Sequence, residues 1–254
     1  IRDLVRSRGL GDVYKRQVDN YLIIPFVDRA IGLRGDASGE HWFLAAGFYG
    51  ESVEPSGLDD EGWGTAGRFV VAPIVSEHAV LHVALRASYR QPSTSDDTIR
   101  LRDETTNMSN LRIVDTGEIE NTHDIVLVGP EAAVAYGPFS LFGEVNQAYL
   151  SRRSDPDLDF LSWHVGGTFS VTGESRAAAY RIDAGEFKRI HPNEDFALRG
   201  GGWGAWEIAE RLAAIDLNDG PVTGGDEMVA TTAINWYVNP IVRFMFEWSH
   251  IVDT

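Results

Sequence analysis

The sequence predicts an all-β chain, an antiparallel transmembrane β-barrel of which one continuous part is present. Three observations carry that reading. Apolar and polar residues alternate at period two over long stretches. The alternating stretches run about ten residues or more, the length a tilted membrane strand requires. The connections alternate between tight turns and longer polar loops, as when one rim faces the periplasm and the other the outside.

The alternation is clearest in residues 80–90, where Leu81, Val83, Leu85, Ala87 and Tyr89 fall on one face and His82, Ala84, Arg86, Ser88 and Arg90 on the other. Residues 155–171 repeat it, with Trp163, Val165, Phe169 and Val171 opposing His164, Gly166, Thr168 and Ser170. In the last segment Val242, Phe244, Phe246 and Trp248 oppose Arg243, Met245, Glu247 and Ser249. Burying Arg243 and Glu247 in a dry core is costly without partners, whereas a sheet with lipid outside and water inside removes that cost. A soluble two-layer sheet shows the same alternation, so periodicity alone does not choose between them. The short turns are read at 36–40, 76–79, 172–176 and 239–240, and the long loops at 51–64, 91–98 and 218–227. Counting segments gives roughly ten to twelve strands in one domain and no helix of consequence. Trp42, Tyr49, Tyr89, Tyr136, Tyr149, Trp163, Tyr237 and Trp248 gather near strand ends, where interfacial girdles belong.

Composition agrees. The 254 residues hold 26 Gly and 11% aromatics but few aliphatic residues for a soluble core of that size. No apolar run reaches the length of a membrane-spanning helix; the longest, at 22–27 and 70–75, are strand-sized and broken by Pro25 and Pro73. Cysteine is absent, which removes disulfide scaffolds, thiol catalysis and Cys-type zinc sites. A net charge of −16 argues against a nucleic-acid partner. Acidic loops either meet divalent cations and lipopolysaccharide or simply solvate the surface.

Residues 1–17 differ in texture, with five basic and two acidic residues and no strand periodicity. They lack the apolar centre of a signal peptide, and Asp12-Val13-Tyr14-Lys15-Arg16-Gln17 reads as a translated sequencing adapter. The division expected is therefore an artefactual 1–17 and a partial barrel domain over 18–254.

Catalytic and metal chemistry finds no constellation. The seven histidines are scattered, and lone strand histidines such as His82 and His164 read as polar lumen or surface residues. Asp155, Asp157 and Asp159 start like a calcium loop, but Phe160 and Gly166 stand where Gly and Glu are required. Gly200-Gly201-Gly202-Trp203-Gly204 leads into a strand and reads as a turn, not a dinucleotide loop.

A set of short segments in fixed order makes the reading more specific. They are Glu40-His41-Trp42-Phe43-Leu44-Ala45-Ala46-Gly47-Phe48-Tyr49-Gly50, Leu81-His82-Val83-Ala84-Leu85-Arg86 and Gly185-Glu186-Phe187-Lys188-Arg189-Ile190-His191-Pro192. Gly204-Ala205-Trp206-Glu207-Ile208-Ala209-Glu210-Arg211, Ile234-Asn235-Trp236-Tyr237-Val238-Asn239-Pro240 and Val242-Arg243-Phe244-Met245 complete it. Over most of 29–254 the chain resembles the phosphate-selective porin O and P family. The resemblance implies a sixteen-stranded, homotrimeric barrel in the bacterial outer membrane, surrounded by lipid and lipopolysaccharide. It further implies passive passage of small anions, phosphate or polyphosphate among them, through an Arg- and Lys-lined lumen, with no enzyme activity and no cofactor. The terminal strand ending in an aromatic is not seen, so truncation at both ends is expected.

A passive pore needs charge aimed at the permeant ion, and the planar fork of arginine matches phosphate oxygens. By parity the lumen candidates are Arg86, Arg90, Arg211 and Arg243, with Lys188 and Arg189 in a segment that forms a constriction or a loop contact. Each arginine either joins an anion ladder or balances a lumen carboxylate, since Glu207 and Glu247 share faces with Arg211 and Arg243. The acidic total and the lack of a dense run of alternating arginines leave selectivity open. Glu210 falls on the outward parity with Trp206, Ile208 and Leu212, so a bulge or a register error is expected there. The alternative from another class is a soluble or surface β-sheet protein that binds a ligand or partner; an outer-membrane hydrolase is a distant third.

Overall fold

The protein is described here by a computed structural model covering residues 30–52, 62–92, 97–102 and 113–254. The adapter-like 1–17, the apolar run 22–27 and most of loop 51–64 lie outside the described residues.

Among the described residues twelve strands follow in chain order: β1 (Ala30–Ser38), β2 (Trp42–Ser52), β3 (Trp63–Val75), β4 (Ala79–Gln91), β5 (Thr122–Tyr136), β6 (Phe139–Arg152), β7 (Leu158–Ser170), β8 (Tyr180–Arg181), β9 (Glu186–Phe187), β10 (Ala205–Asp219), β11 (Val222–Tyr237) and β12 (Arg243–Asp253). All but β8 and β9 form one ten-stranded antiparallel meander in which sequence neighbours are sheet neighbours, open at β1 and β12. Strands β8 and β9 make a small ribbon of their own, preceded by a 3-10 turn at Arg176–Ala179.

The two faces of the meander settle what periodicity left open. Leu44, Phe69, Leu85, Val134, Leu141, Val165, Ile208 and Phe246 lie exposed on one face. Arg68, His82, Arg86, Glu131, Glu144, His164, Glu207 and Arg211 lie buried on the other. A soluble sheet places these classes the other way round. An apolar outer face and a polar inner face are what lipid outside and a hydrated interior select. No helix is long and apolar enough to cross a membrane among the described residues.

Aromatic clusters cap the outer face at both ends. Trp206 and Trp236 stack at 5.2 Å, Trp236 and Phe244 at 5.7 Å, and both indoles donate to the Trp203 carbonyl (3.2 and 2.9 Å). At the opposite rim Phe48, Trp63 and Tyr89 stack, and the Trp63 indole donates to Gln91 Oε1 at 3.0 Å. This apolar body with one satisfied polar handle suits a membrane interface. Four of the expected girdle residues stand elsewhere. Tyr49 and Tyr237 point inward, because Phe48 and Trp236 hold the outward parity beside them, and Trp163 and Trp248 sit mid-strand opposite Ala214 and Thr232.

The connections also differ from the sequence reading, and the loop expected at 91–98 belongs to a longer connection between Gln91 of β4 and Thr122 of β5. The expected long loop at 218–227 is a two-residue turn, Gly220-Pro221, matching Gly137-Pro138 at the other rim. Gly220 (φ +52°) and Gly137 (φ +53°) occupy the first central position, where a tight hairpin needs positive φ. Conversely, the expected short turn at 172–176 opens a long segment, 171–204, that folds back over the inner face. Pro73 sits where the β3–β4 register shifts between Val71 and Ile74, since it has no N–H to offer the ladder.

Among the described residues two inserts therefore lie on the inner side. The segment 171–204 enters from the rim of the Gly137-Pro138 turn and lays Ala177, Tyr180 and Phe187 against Ala72, Val80, Ala133, Ala135 and Phe142. At its tip Gly185 (φ +61°) passes so close to β3 that a Cβ would stand 2.8 Å from Val70 Cγ2, so a side chain is excluded there. From the opposite rim the described parts of the β4–β5 connection pack Ile99, Leu101, Val114 and Ile119 against Ile125, Leu127, Leu150, Phe160, Ile215 and Leu217.

Candidate functional site: a polar waist between two inserts

Between the two apolar plugs the inner face carries a belt of charged and polar side chains from β3 to β7. Period-two alternation aims them inward, and the uninterrupted β4–β5 register sets Arg86 opposite Gly129. Gly129 leaves room for that guanidinium, since a Cβ would lie 2.6 Å from Arg86 Nε. Arg86 Nη2 donates to Glu144 Oε1 at 2.8 Å and also to Asn146. Arg68 pairs with Glu131, which also accepts from His82 Nε2 at 2.9 Å. His82 Nδ1 lies 2.8 Å from the Tyr180 hydroxyl, linking the belt to the insert. His164 Nδ1 lies 3.7 Å from Glu144 Oε1, and Asn146 Nδ2 donates to Ser162 at 3.4 Å.

A second centre forms where the insert meets β10 and β11. Arg176 pairs with Glu207, whose other oxygen accepts from Tyr237 Oη (3.0 Å) and Asn235 Nδ2 (3.1 Å). Glu174 ties the insert to the end of β7 and to itself, accepting from Ser170 Oγ (2.7 Å), Thr172 and the Asn193 N–H (3.2 Å). Burial alone pushes this carboxyl up, but the hydroxyl and backbone donors outweigh it and hold the group below its ordinary range. In the other insert, hydrogen bonds from Arg100 (2.7 Å from Nε) likewise hold Asp115 low, against a smaller opposing effect of burial.

The candidate lumen residues do not converge on one point. Arg86 and Arg90 share β4, Arg211 is on β10 and Arg243 on β12. Arg86 is committed to Glu144 and Asn146. Arg90 points inward near Tyr49, and Arg211 lies buried on the same face within electrostatic reach of Glu247. Arg243 lies over the Tyr237 ring at 5.6 Å. Lys188 pairs with Glu186, and Arg189 donates to the Ile241 carbonyl at 2.9 Å, tethering the insert to the β11–β12 turn. Sequence reasoning missed Arg68, Glu131, Glu144 and Arg176. The first three were available from parity within their strands; Arg176 was not, because its segment read as a turn.

Comparison with known proteins fits this inside-out architecture. The family described as phosphate-selective porin O and P matches residues 6–252. The chain belongs to that family. A protein of Caulobacter vibrioides described as uncharacterized is 27% identical over 228 residues, which cover 85% of this chain. The chain spans 45% of that relative's length. Porin O and P proteins are bacterial outer-membrane porins, which accounts for an apolar sheet exterior of this kind. Among the described residues no group of His, Asp and Glu is placed to hold a metal ion. Glu210, where a bulge was expected, lies in regular register with both neighbouring strands and faces outward.

Proposed function

We propose that the chain forms a large part of a passive outer-membrane pore for small anions, phosphate being the class that the family's description names. The carrying observation is the polar waist: a belt of guanidinium, carboxylate, amide and imidazole groups held between two inserts, on a sheet whose outer face is apolar. Such an arrangement offers a hydrated ion successive polar contacts and needs no nucleophile or proton relay. Arg86 stands in the waist, tied to Glu144 and Asn146, and Arg90, Arg211 and Arg243 add positive charge elsewhere along the inner face. Lipid and lipopolysaccharide surround the outer face, and the barrel assembles as a homotrimer.

The test is the zero-current potential of the full-length protein in a planar bilayer across a salt gradient. An anion-favouring potential is expected, with Arg90→Gln and Arg211→Gln each moving it toward zero. A cation-favouring potential overturns the anion assignment, and absence of conductance overturns the pore.

A further inference from the structure

Among the described residues the outer face holds a carboxylate that lipid does not explain. Glu210 sits on β10 between Ile208 and Leu212, opposite Gly167 on β7 and Thr232 on β11. Register is unbroken with β11 from Ala205 to Asp216 and with β7 from Glu207 to Asp216, so the side chain cannot turn inward through a local bulge. It lies four positions beyond Trp206, the marker of the interfacial cluster. At the rise of a tilted strand that is roughly 9 Å into the apolar band. The other outward carboxylates of β7, β10 and β11, Asp159, Asp216 and Asp226, stand at the far rim.

Glu210 Oε2 accepts from Thr232 Oγ1 at 2.8 Å. A carboxylate offers about four acceptor positions, and hydrocarbon supplies no donor for the rest. Intramembrane ionisable groups are accordingly found against protein or water rather than acyl chains. Two strands away, about 10 Å at sheet spacing, Gly143 and, one strand farther, Ala132 leave an apolar depression of about 720 Å³ walled by Leu81, Val83, Leu141 and Trp163. The indole of Trp163 and that of Trp248, which stands beside Thr232, lie on this same face. Each carries an N–H suited to a carboxylate.

We propose that the outer face of β5, β6, β7, β10 and β11 around Glu210 is where a second copy of this chain docks. This rests on the porin reading. A copy brings indole and hydroxyl donors to the carboxylate and apolar side chains to the depression, which acyl chains can do only for the latter. Closed assembly of identical barrels satisfies every such site at once.

These 254 residues hold no cysteine, so in a full-length background cleared of any further cysteine, single cysteines report contacts without background. In outer membranes holding the full-length protein, Leu212→Cys is expected to cross-link into dimers with a short thiol-reactive linker. Phe69→Cys, on the outer face of β3, is expected to stay monomeric. Glu210→Leu separates the readings by sign. At a docking face it lowers the temperature at which the detergent-extracted oligomer dissociates, with Glu210→Gln falling between it and the unsubstituted protein. At a lipid face it leaves dissociation unchanged or strengthens the barrel by removing a carboxylate from hydrocarbon. No cross-link at Leu212 together with unchanged dissociation overturns the proposal. Bilayer conductance of the same variants tells that failure from failure of the porin reading, because a pore that conducts without this contact keeps the latter.

Discussion

Glu131 accepts from Arg68 and from His82 Nε2, and Arg86 Nη1 stands 3.9 Å from its other oxygen. Its side chain is fully buried. Burying one such charge is unfavourable alone; the neighbouring cations offset the loss of water. Removing the carboxylate strands Arg68 on the inner face, so Glu131→Leu is expected to destabilise the barrel by about 3–5 kcal/mol. The measurement is urea-induced loss of the compact, heat-modifiable form of the full-length protein in detergent. Arg68→Met added to Glu131→Leu removes both charges and is expected to restore most of that loss, because apolar replacement of a whole buried pair is often near neutral. At this scale the sequence disclosed direction and not partnership. Parity placed Arg86 and Arg90 inward correctly, but that Arg86 meets Glu144, 58 positions later, depends on the registers of β4–β5 and β5–β6 together.

The elements that differ most from the sequence reading are the two inserts, and both are held by short-range polar contacts. The described part of the β4–β5 connection is joined by an antiparallel bridge between Ile99 and Ile119, by Arg100 on Asp115, and by the Asp115 N–H on the Gly224 carbonyl (2.7 Å). Asp115 has its carboxyl pKa lowered in the folded chain, chiefly by the Arg100 hydrogen bonds. A lowered folded pKa means that the stabilisation is present above the unfolded value, about 3.9, and is lost as pH falls through the folded one. Protease access to this insert is therefore expected to be flat from pH 7 to about 5 and to rise below about 4. In Asp115→Asn the rise is absent, because the group no longer titrates. The segment 171–204 escaped notice for a physical reason. Its one 3-10 turn and two-residue strands are too short to leave a periodic signal, and its burial is against residues far away in sequence, such as Val70 and Phe142.

For the whole molecule, the exchange of faces is the decisive property. Leu85 is 51% exposed in the middle of β4, between Phe69 of β3 and Pro130 of β5, which share its outward face. In a soluble sheet such a residue is a surface position, where Leu→Arg changes stability by about half a kcal/mol or less. On a lipid-facing barrel wall the same change is expected to cost about 2–4 kcal/mol. Folding of Leu85→Arg into lipid vesicles, compared with the unsubstituted full-length protein, measures which cost applies. A cost near zero contradicts the lipid-facing assignment of β4.

The sequence by itself determined that the chain is all-β, that its strands are long and antiparallel, and which residues share a face along each of them. Those properties are local, because side chains alternate across a strand whatever lies beyond it. Only the tertiary structure decided which face is wet, that 218–227 is a tight turn while 172–176 opens an insert, and that Arg176 answers Glu207. It also decided that Glu210 faces outward without a bulge. Each of these depends on cross-strand register and on segments folded over the inner face. Period two fixes the side a residue takes along its own strand, but not what stands opposite it across the sheet.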